Sequence, residues 1–188
     1  MAVMVFVVVT GLRQARTHTV EREVGRSTSY LRSPPVLIIA AILAVIVFWL
    51  LWRPLPLRLS DPARLARLVV GSLLFFPGIA LIIWGRRELG AMYNVSSGMG
   101  VQIFQGHRVI KTGPFRYVRH PMYLGNALWV LGAVLIYWNW AALLLATSIL
   151  SMTARAKREE QALLETLGDE YREYMRETPA FLPRFGKR

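Results

Sequence analysis

The chain has 188 residues, room for one domain, and it is 54% hydrophobic with a mean hydropathy of +0.38. It has no Cys, which excludes disulfides, thiolate nucleophiles and Cys-ligated zinc, and its three His residues show no His-x-x-x-His spacing, so no metal site is expected. The net charge of +12 would suggest nucleic acid in a soluble protein, but here Arg residues sit between apolar blocks, with no basic helical face or aromatic-interleaved strand. Membrane lipid headgroups are the expected counter-charge, and nucleic acid is not an expected partner.

Met1 to Leu12 is apolar but shorter than the roughly 20 helical residues that cross a bilayer. Arg13 and Arg16 follow it rather than precede it, so a short first membrane helix is expected in place of a signal peptide. Thr17 to Ser33 is polar and Arg-rich, a surface connector or amphipathic helix. Pro34-Pro35 then opens a spanning helix, Val36 to Trp52, with proline in the first turn, where its missing N–H does no harm. Trp49 and Trp52 stand at its far end as interfacial aromatics. Arg53-Pro54-Leu55-Pro56 breaks the helix. Asp61-Pro62 reads as an N-cap followed by proline, and a second span follows from about Ala63 to Trp84, kinked at Pro77-Gly78.

Beyond Arg86-Arg87-Glu88 the pattern changes. Tyr93 to Gly100 reads as a loop. Val101 to Phe104 and Arg108 to Ile110 are expected to pair as a small hairpin around Gln105-Gly106-His107, and Gly113-Pro114 is a turn. Pro121 starts a helix running from Met122 to about Tyr137. Asn139 marks a tight turn between Trp138 and Trp140, and Ala141 to Ala154 returns. The helix then continues out of the membrane, with Leu163, Leu167, Tyr171 and Tyr174 on one face. Gly168 ends it and Asp169 caps the next; Thr178-Pro179 stops the pattern. Phe181, Leu182 and Phe185 with Arg184, Lys187 and Arg188 suit an interfacial tail.

The expected fold is therefore an all-α integral membrane protein with about five transmembrane helices, the first one short. Gly98-Met99-Gly100 lacks the third glycine and the strand–helix setting of a dinucleotide fingerprint, so no Rossmann fold is expected. Nineteen of the 23 Lys and Arg residues fall in the connector 13–32, the loop 86–119 and the tail from Arg155; only Arg53, Arg58, Arg64 and Arg67 fall opposite. The positive-inside rule puts loop 85–121 and the C-terminal tail on the cytoplasmic side. The heavy preference for Arg over Lys suits a GC-rich genome, and a prokaryotic cytoplasmic membrane is the expected location.

The residues from Gly106 to Gly125 carry two of the three histidines and four basic side chains, Arg108, Lys111, Arg116 and Arg119, between apolar blocks. They read as the floor of a ligand site at the membrane surface. The side chains able to do chemistry there and in the tail are His107, His120, Arg119, Tyr117, Tyr123, Arg155, Glu159 and Glu160. A helix sets Arg155 and Glu159 on one face. Alone, that pair is equally an exposed ion pair, and His120 before Pro121 is equally a helix cap.

The run Gly106-His107-x-Val109-Ile110-x-x-Gly113-Pro114-Phe115, then Arg119-His120-Pro121-x-Tyr123-x-Gly125, resembles the membrane methyltransferases typified by isoprenylcysteine carboxyl methyltransferase. So do Arg155-x-x-x-Glu159-Glu160-x-x-Leu163 and Gly168-Asp169-Glu170-Tyr171-x-x-Tyr174. The resemblance covers Tyr93 to about Arg184. It implies one methyltransferase domain over 1–188, with membrane helices that carry no motif in 1–92 and the cofactor-binding and catalytic part in 93–188. It also implies S-adenosyl-L-methionine as methyl donor, bound by His107, Arg108, Val109, Ile110, Phe115, His120, Pro121, Met122, Tyr123 and Glu159. Arg155 is implied to bind the substrate, and Arg155 and Glu159 to be catalytic. Phe115 departs from the tyrosine common in the family, so a hydroxyl contact is lost there. The implied acceptor is lipophilic: an isoprenylcysteine-type carboxylate, or a phospholipid amine, small thiol or other lipid. Two alternatives stand beside this reading. One is an NADPH-dependent enzyme like the sterol reductases, which share an Arg-His-x-x-Tyr-x-Gly segment; the other is a non-catalytic membrane adaptor.

Overall fold

A computed structural model describes residues 20–24, 34–90, 101–104 and 108–183. In chain order these form β1 (Val20–Val24), α1 (Pro34–Leu50), α2 (Asp61–Leu89), β2 (Val101–Phe104), a 3-10 turn (Gly113–Arg116), α3 (Pro121–Tyr137), α4 (Trp140–Ala146), α5 (Ser148–Leu167) and α6 (Asp169–Glu177). The expected short helix at Met1–Leu12, the loop at Tyr93–Gly100, His107 and the last residues of the tail lie outside the described residues.

The helical class is as expected, and the described residues contain no Rossmann unit. Four details differ. Val101–Phe104 does not pair with Arg108–Ile110; it pairs antiparallel with Val20–Val24, so the polar connector holds a strand and the fold carries a two-stranded ribbon beside its helices. Nothing local favours that partner over the expected hairpin, because the two strands are far apart in sequence. Second, Ser60 takes the extended N-cap conformation and Asp61-Pro62 begin the helix itself, since proline's fixed φ suits the first turn. Third, the return segment is two helices, α4 and α5, separated at Thr147. Fourth, fewer of the described helices than expected have the length and apolarity that crossing a membrane takes. Of the described helices only α2, with 29 residues, is long and apolar enough to cross a membrane. Helices α1 and α3 have 17 residues each, or about 26 Å at 1.5 Å per residue.

The core is the crossing of α2 and α3. Buried glycines recur every seventh residue on α2, at Gly71, Gly78 and Gly85, and again on α3 at Gly125 and Gly132. A Cβ at Gly78 would lie 2.5 Å from the Trp129 backbone nitrogen, and one at Gly132 would lie 2.6 Å from that of Phe75. Backbones can approach this closely only where no side chain intervenes, the packing mode that serves where apolar solvent offers no hydrophobic drive. The opposite faces stay apolar and exposed: Leu65, Leu73 and Phe76 on α2, and Ile38, Val45 and Trp49 on α1. An open apolar groove of about 540 Å³ lies on this outer side of α2, between Leu68 and Pro77.

One end of the bundle is stitched shut by backbone and aromatic groups. Leu55 N–H donates to the Trp138 carbonyl at 3.0 Å, and Ala141 N–H to the Leu51 carbonyl at 3.0 Å. The Arg67 guanidinium lies 4.9 Å from the Trp138 ring centroid and hydrogen-bonds the Leu135 carbonyl. Trp138 takes the left-handed conformation (φ 49°) that ends α3, and the Asn139 side chain caps α4 by accepting from Ala142 N–H at 2.8 Å. The other end gathers the last turn of α2, the 3-10 turn, the start of α3, the second half of α5 and all of α6.

Candidate functional site

The approach to this end is set by Gly113 and Glu88. Gly113 adopts φ 57°, a left-handed conformation that favours glycine, and a Cβ there would also fall 2.6 Å from the Glu88 carboxylate and push it aside. The Thr112 hydroxyl donates to the same carboxylate, which pins the loop to α2. Proline then tightens one 3-10 turn, burying Pro114 and Phe115. Tyr174 on α6 reaches across to donate its hydroxyl to the Phe115 carbonyl at 2.6 Å. Burial pushes the Tyr174 phenol up to about 12, so it stays a donor. Tyr171, edge-on to it at 5.8 Å, is raised too, by burial first and then by the Glu160 charge.

Arg119 and His120 are held by the chain beyond α6. Their backbone N–H groups donate to the carbonyls of Pro179 and Ala180, each at 2.9 Å. The Arg119 side chain donates from Nε to Glu160 at 2.8 Å and from a terminal nitrogen to the Met175 carbonyl at 3.0 Å, and it also meets the Thr178 carbonyl. Those carbonyls close the C-terminal turn of α6, where unsatisfied acceptors and the helix dipole favour a cation. The His120 ring, only 7% exposed, places Nε2 2.9 Å from Glu160 and lies between Tyr123 and Phe181, with centroids 5.6 and 5.4 Å away. Burial works to raise the Glu160 carboxyl, but hydrogen bonds from His120 and Arg119 outweigh it and hold Glu160 below the usual carboxylate range.

The neighbouring carboxylate has different company. Glu159 accepts from the Tyr123 hydroxyl, one turn into α3, and Arg155 lies against that same hydroxyl. Two adjacent glutamates of α5 are thus divided: Glu160 is enclosed with Arg119 and His120, and Glu159 stands with Tyr123 and Arg155.

Of the residues expected from sequence, His120, Tyr123, Arg155 and Glu159 come together here, with Phe115 behind them. Pro121 and Met122 turn toward α2, where Met122 packs over Gly85. Arg108 is exposed, and Val109 and Ile110 are half-buried on the way to the 3-10 turn. His107 lies outside the described residues. Sequence reasoning missed the anchoring of Arg119 on α6, the Phe181 ring on His120 and the Tyr174–Phe115 link. Only the shared face of Tyr171 and Tyr174 gave a signal for any of them. Among the described residues no cluster of His, Asp and Glu could hold a metal ion.

Comparison with known proteins adds a second line of observation. The sequence profile of the phospholipid methyltransferase family matches residues 66–170, from α2 into α6. Over 79 residues the chain is 33% identical to the protein-S-isoprenylcysteine O-methyltransferase of Schizosaccharomyces pombe, covering 41% of this chain and 34% of that protein. It is 28% identical over 177 residues to methanethiol S-methyltransferase 1 of Bradyrhizobium diazoefficiens, covering 89% of this chain and 57% of that protein. A 29% identity over 106 residues links it to the steroid 5-alpha-reductase DET2 of Solanum lycopersicum, covering 56% of this chain and 38% of that protein. The chain thus spans less than two thirds of the length of each of these relatives. The profile match takes in more than half of the chain and both halves of the site, and on that ground this protein belongs to the phospholipid methyltransferase family.

Proposed function

We propose that the chain is an integral membrane methyltransferase that uses S-adenosyl-L-methionine to methylate a lipophilic acceptor, an isoprenylcysteine-type carboxylate. The observation that carries this reading is the division of the two carboxylates at the end where α3 and α5 meet. Glu160 holds Arg119 and His120 through one oxygen, Oε1, and is turned toward them, which leaves Glu159 as the carboxylate better placed for a ligand's ammonium group. The bundle supports the membrane part of the proposal: α1, α2 and α3 expose apolar side chains that water would not tolerate in such number. Loop 85–121 and the tail would then face the cytoplasm.

Bound there, S-adenosyl-L-methionine would supply an electrophilic methyl group on a sulfonium. His120, Tyr123, Phe115 and Glu159 would hold it, with 108–110 along its approach. Arg155 would bind the acceptor carboxylate in bidentate fashion and fix its oxygen in line with the methyl carbon. An acceptor carboxylate held at Arg155 would be the nucleophile toward that methyl group, and its charge would be neutralised as an ester. No proton moves, so no general base is needed. Tyr123 links the two halves, since its hydroxyl touches both Glu159 and Arg155. The proposal keeps one domain over 1–188, with the residues that would carry its chemistry in 93–188.

The test is methyl transfer from radiolabelled donor to a farnesylated cysteine derivative by the purified protein in lipid vesicles. The expected product is a methyl ester that releases labelled methanol in base. Label that stays base-stable would redirect the reading to a thiol or amine acceptor, and no transfer with oxidation of NADPH would redirect it to a reductase.

A further inference from the structure

Between Gly125 and Trp129, α3 carries a single amide side chain, Asn126, in an otherwise apolar run. It lies three residues beyond Tyr123, on the same face and about 4.5 Å further along the helix axis. Across from it on α5 is Met152, three residues before Arg155, so the two pairs Tyr123–Arg155 and Asn126–Met152 stack as successive steps between α3 and α5. The amide's hydrogen bond is from Nδ2 to the Met152 sulfur at 3.9 Å. Thioether sulfur is a weak acceptor, so the half-buried amide keeps donor and acceptor capacity for a stronger partner. A polar group set against a soft, adaptable methionine in an apolar run is a poor packing element and a good ligand contact.

We propose that Asn126 is a specificity-determining residue that hydrogen-bonds an amide or carbonyl of the lipophilic acceptor, one helical step from the group held at Arg155. This inference rests on the acceptor reading above. An N-acylated, S-alkylated cysteine presents the matching chemistry: its amide nitrogen is two bonds from the carboxyl carbon, so a carboxylate at Arg155 sets the amide beside Asn126. A small thiol has nothing to offer there.

The test compares two acceptors with the detergent-purified full chain: N-acetyl-S-farnesylcysteine, and S-farnesyl-3-thiopropionate, which keeps the lipid and carboxylate but lacks the amide. The native protein is expected to prefer the first by about tenfold in kcat/KM, the scale of one hydrogen bond. Asn126→Leu should bring the ratio to within about twofold while calorimetric affinity for S-adenosyl-L-methionine is unchanged. Asn126→Ser, smaller but still able to hydrogen-bond, should retain part of the preference, and it carries the test if the leucine variant does not fold. Equal use of both acceptors by the native protein would overturn the role of Asn126 and leave the methyltransferase reading standing. A preference that survives Asn126→Leu, or an equal loss on both acceptors, would mark Asn126 as a packing residue. Donor binding with neither acceptor methylated would overturn the carboxylate-acceptor reading and the role of Asn126 with it.

Discussion

Adding one methyl group at Gly78 should loosen the α2–α3 crossing that carries the site. In Gly78→Ala the new Cβ would meet the Trp129 nitrogen at 2.5 Å and the Gly125 carbonyl oxygen at 2.6 Å, both backbone atoms of α3. Ordinary contact lies near 3.5 Å, so the helices must separate by about 1 Å, which forfeits a quarter to a half of the dispersion energy at the neighbouring contacts. Overpacking of this kind costs about 3 kcal/mol, and the better helix propensity of alanine returns about 1, leaving a loss of about 2 kcal/mol. Gly71→Ala is the internal control. Its Cβ would meet Ile136 Cγ1 and Leu135 Cβ at 3.0 Å and the Gly132 carbonyl oxygen at 3.2 Å, an overlap about 0.5 Å milder, so strain and propensity should nearly cancel. Reversible unfolding in mixed micelles, titrated with a denaturing detergent and followed by circular dichroism, measures both. Equal stabilities for the two variants, or a neutral Gly78→Ala, would refute the close-packing account.

Two further outcomes follow from the site. The folded-state pKa of Glu160 is depressed, so its network stabilises the fold above the ordinary glutamate range, near 4.5, and loses that contribution as pH falls through the folded value. Glu160→Gln should therefore unfold more readily than the native protein at pH 7, with the gap closing as pH falls below the ordinary glutamate range; a gap that is constant with pH would refute the ionic role. Arg155→Ala should leave S-adenosyl-L-methionine affinity unchanged while lowering kcat/KM for a carboxylate acceptor by at least tenfold. Loss of donor binding in that variant would contradict the assignment of Arg155 to the acceptor.

The helices, their order and the meeting of loop with tail could be read from local patterns. Proline at Pro34-Pro35, Pro62 and Pro121 and glycine at Gly168 mark ends that the structure keeps, because each acts through its own φ angle. What escaped reading is long-range. The partner of Val101–Phe104 is Val20–Val24, and the ring over His120 is Phe181, choices made by tertiary packing. Glu159 and Glu160 look alike in sequence; they differ because consecutive helical residues point about 100° apart, one toward Tyr123 and the other toward Arg119. The glycines at 71, 78 and 85 lie unremarked within an apolar run until α3 is set against them. The break at Thr147 has no proline or glycine to announce it.

Calorimetric titration of the detergent-purified protein with S-adenosyl-L-methionine, its demethylated product and NADPH tests the central claim most directly, run beside Glu159→Ala and His120→Ala. The account predicts binding of the first two ligands, none of NADPH, and loss of donor binding in both variants. Binding of NADPH alone, or unchanged donor affinity in both variants, would contradict it.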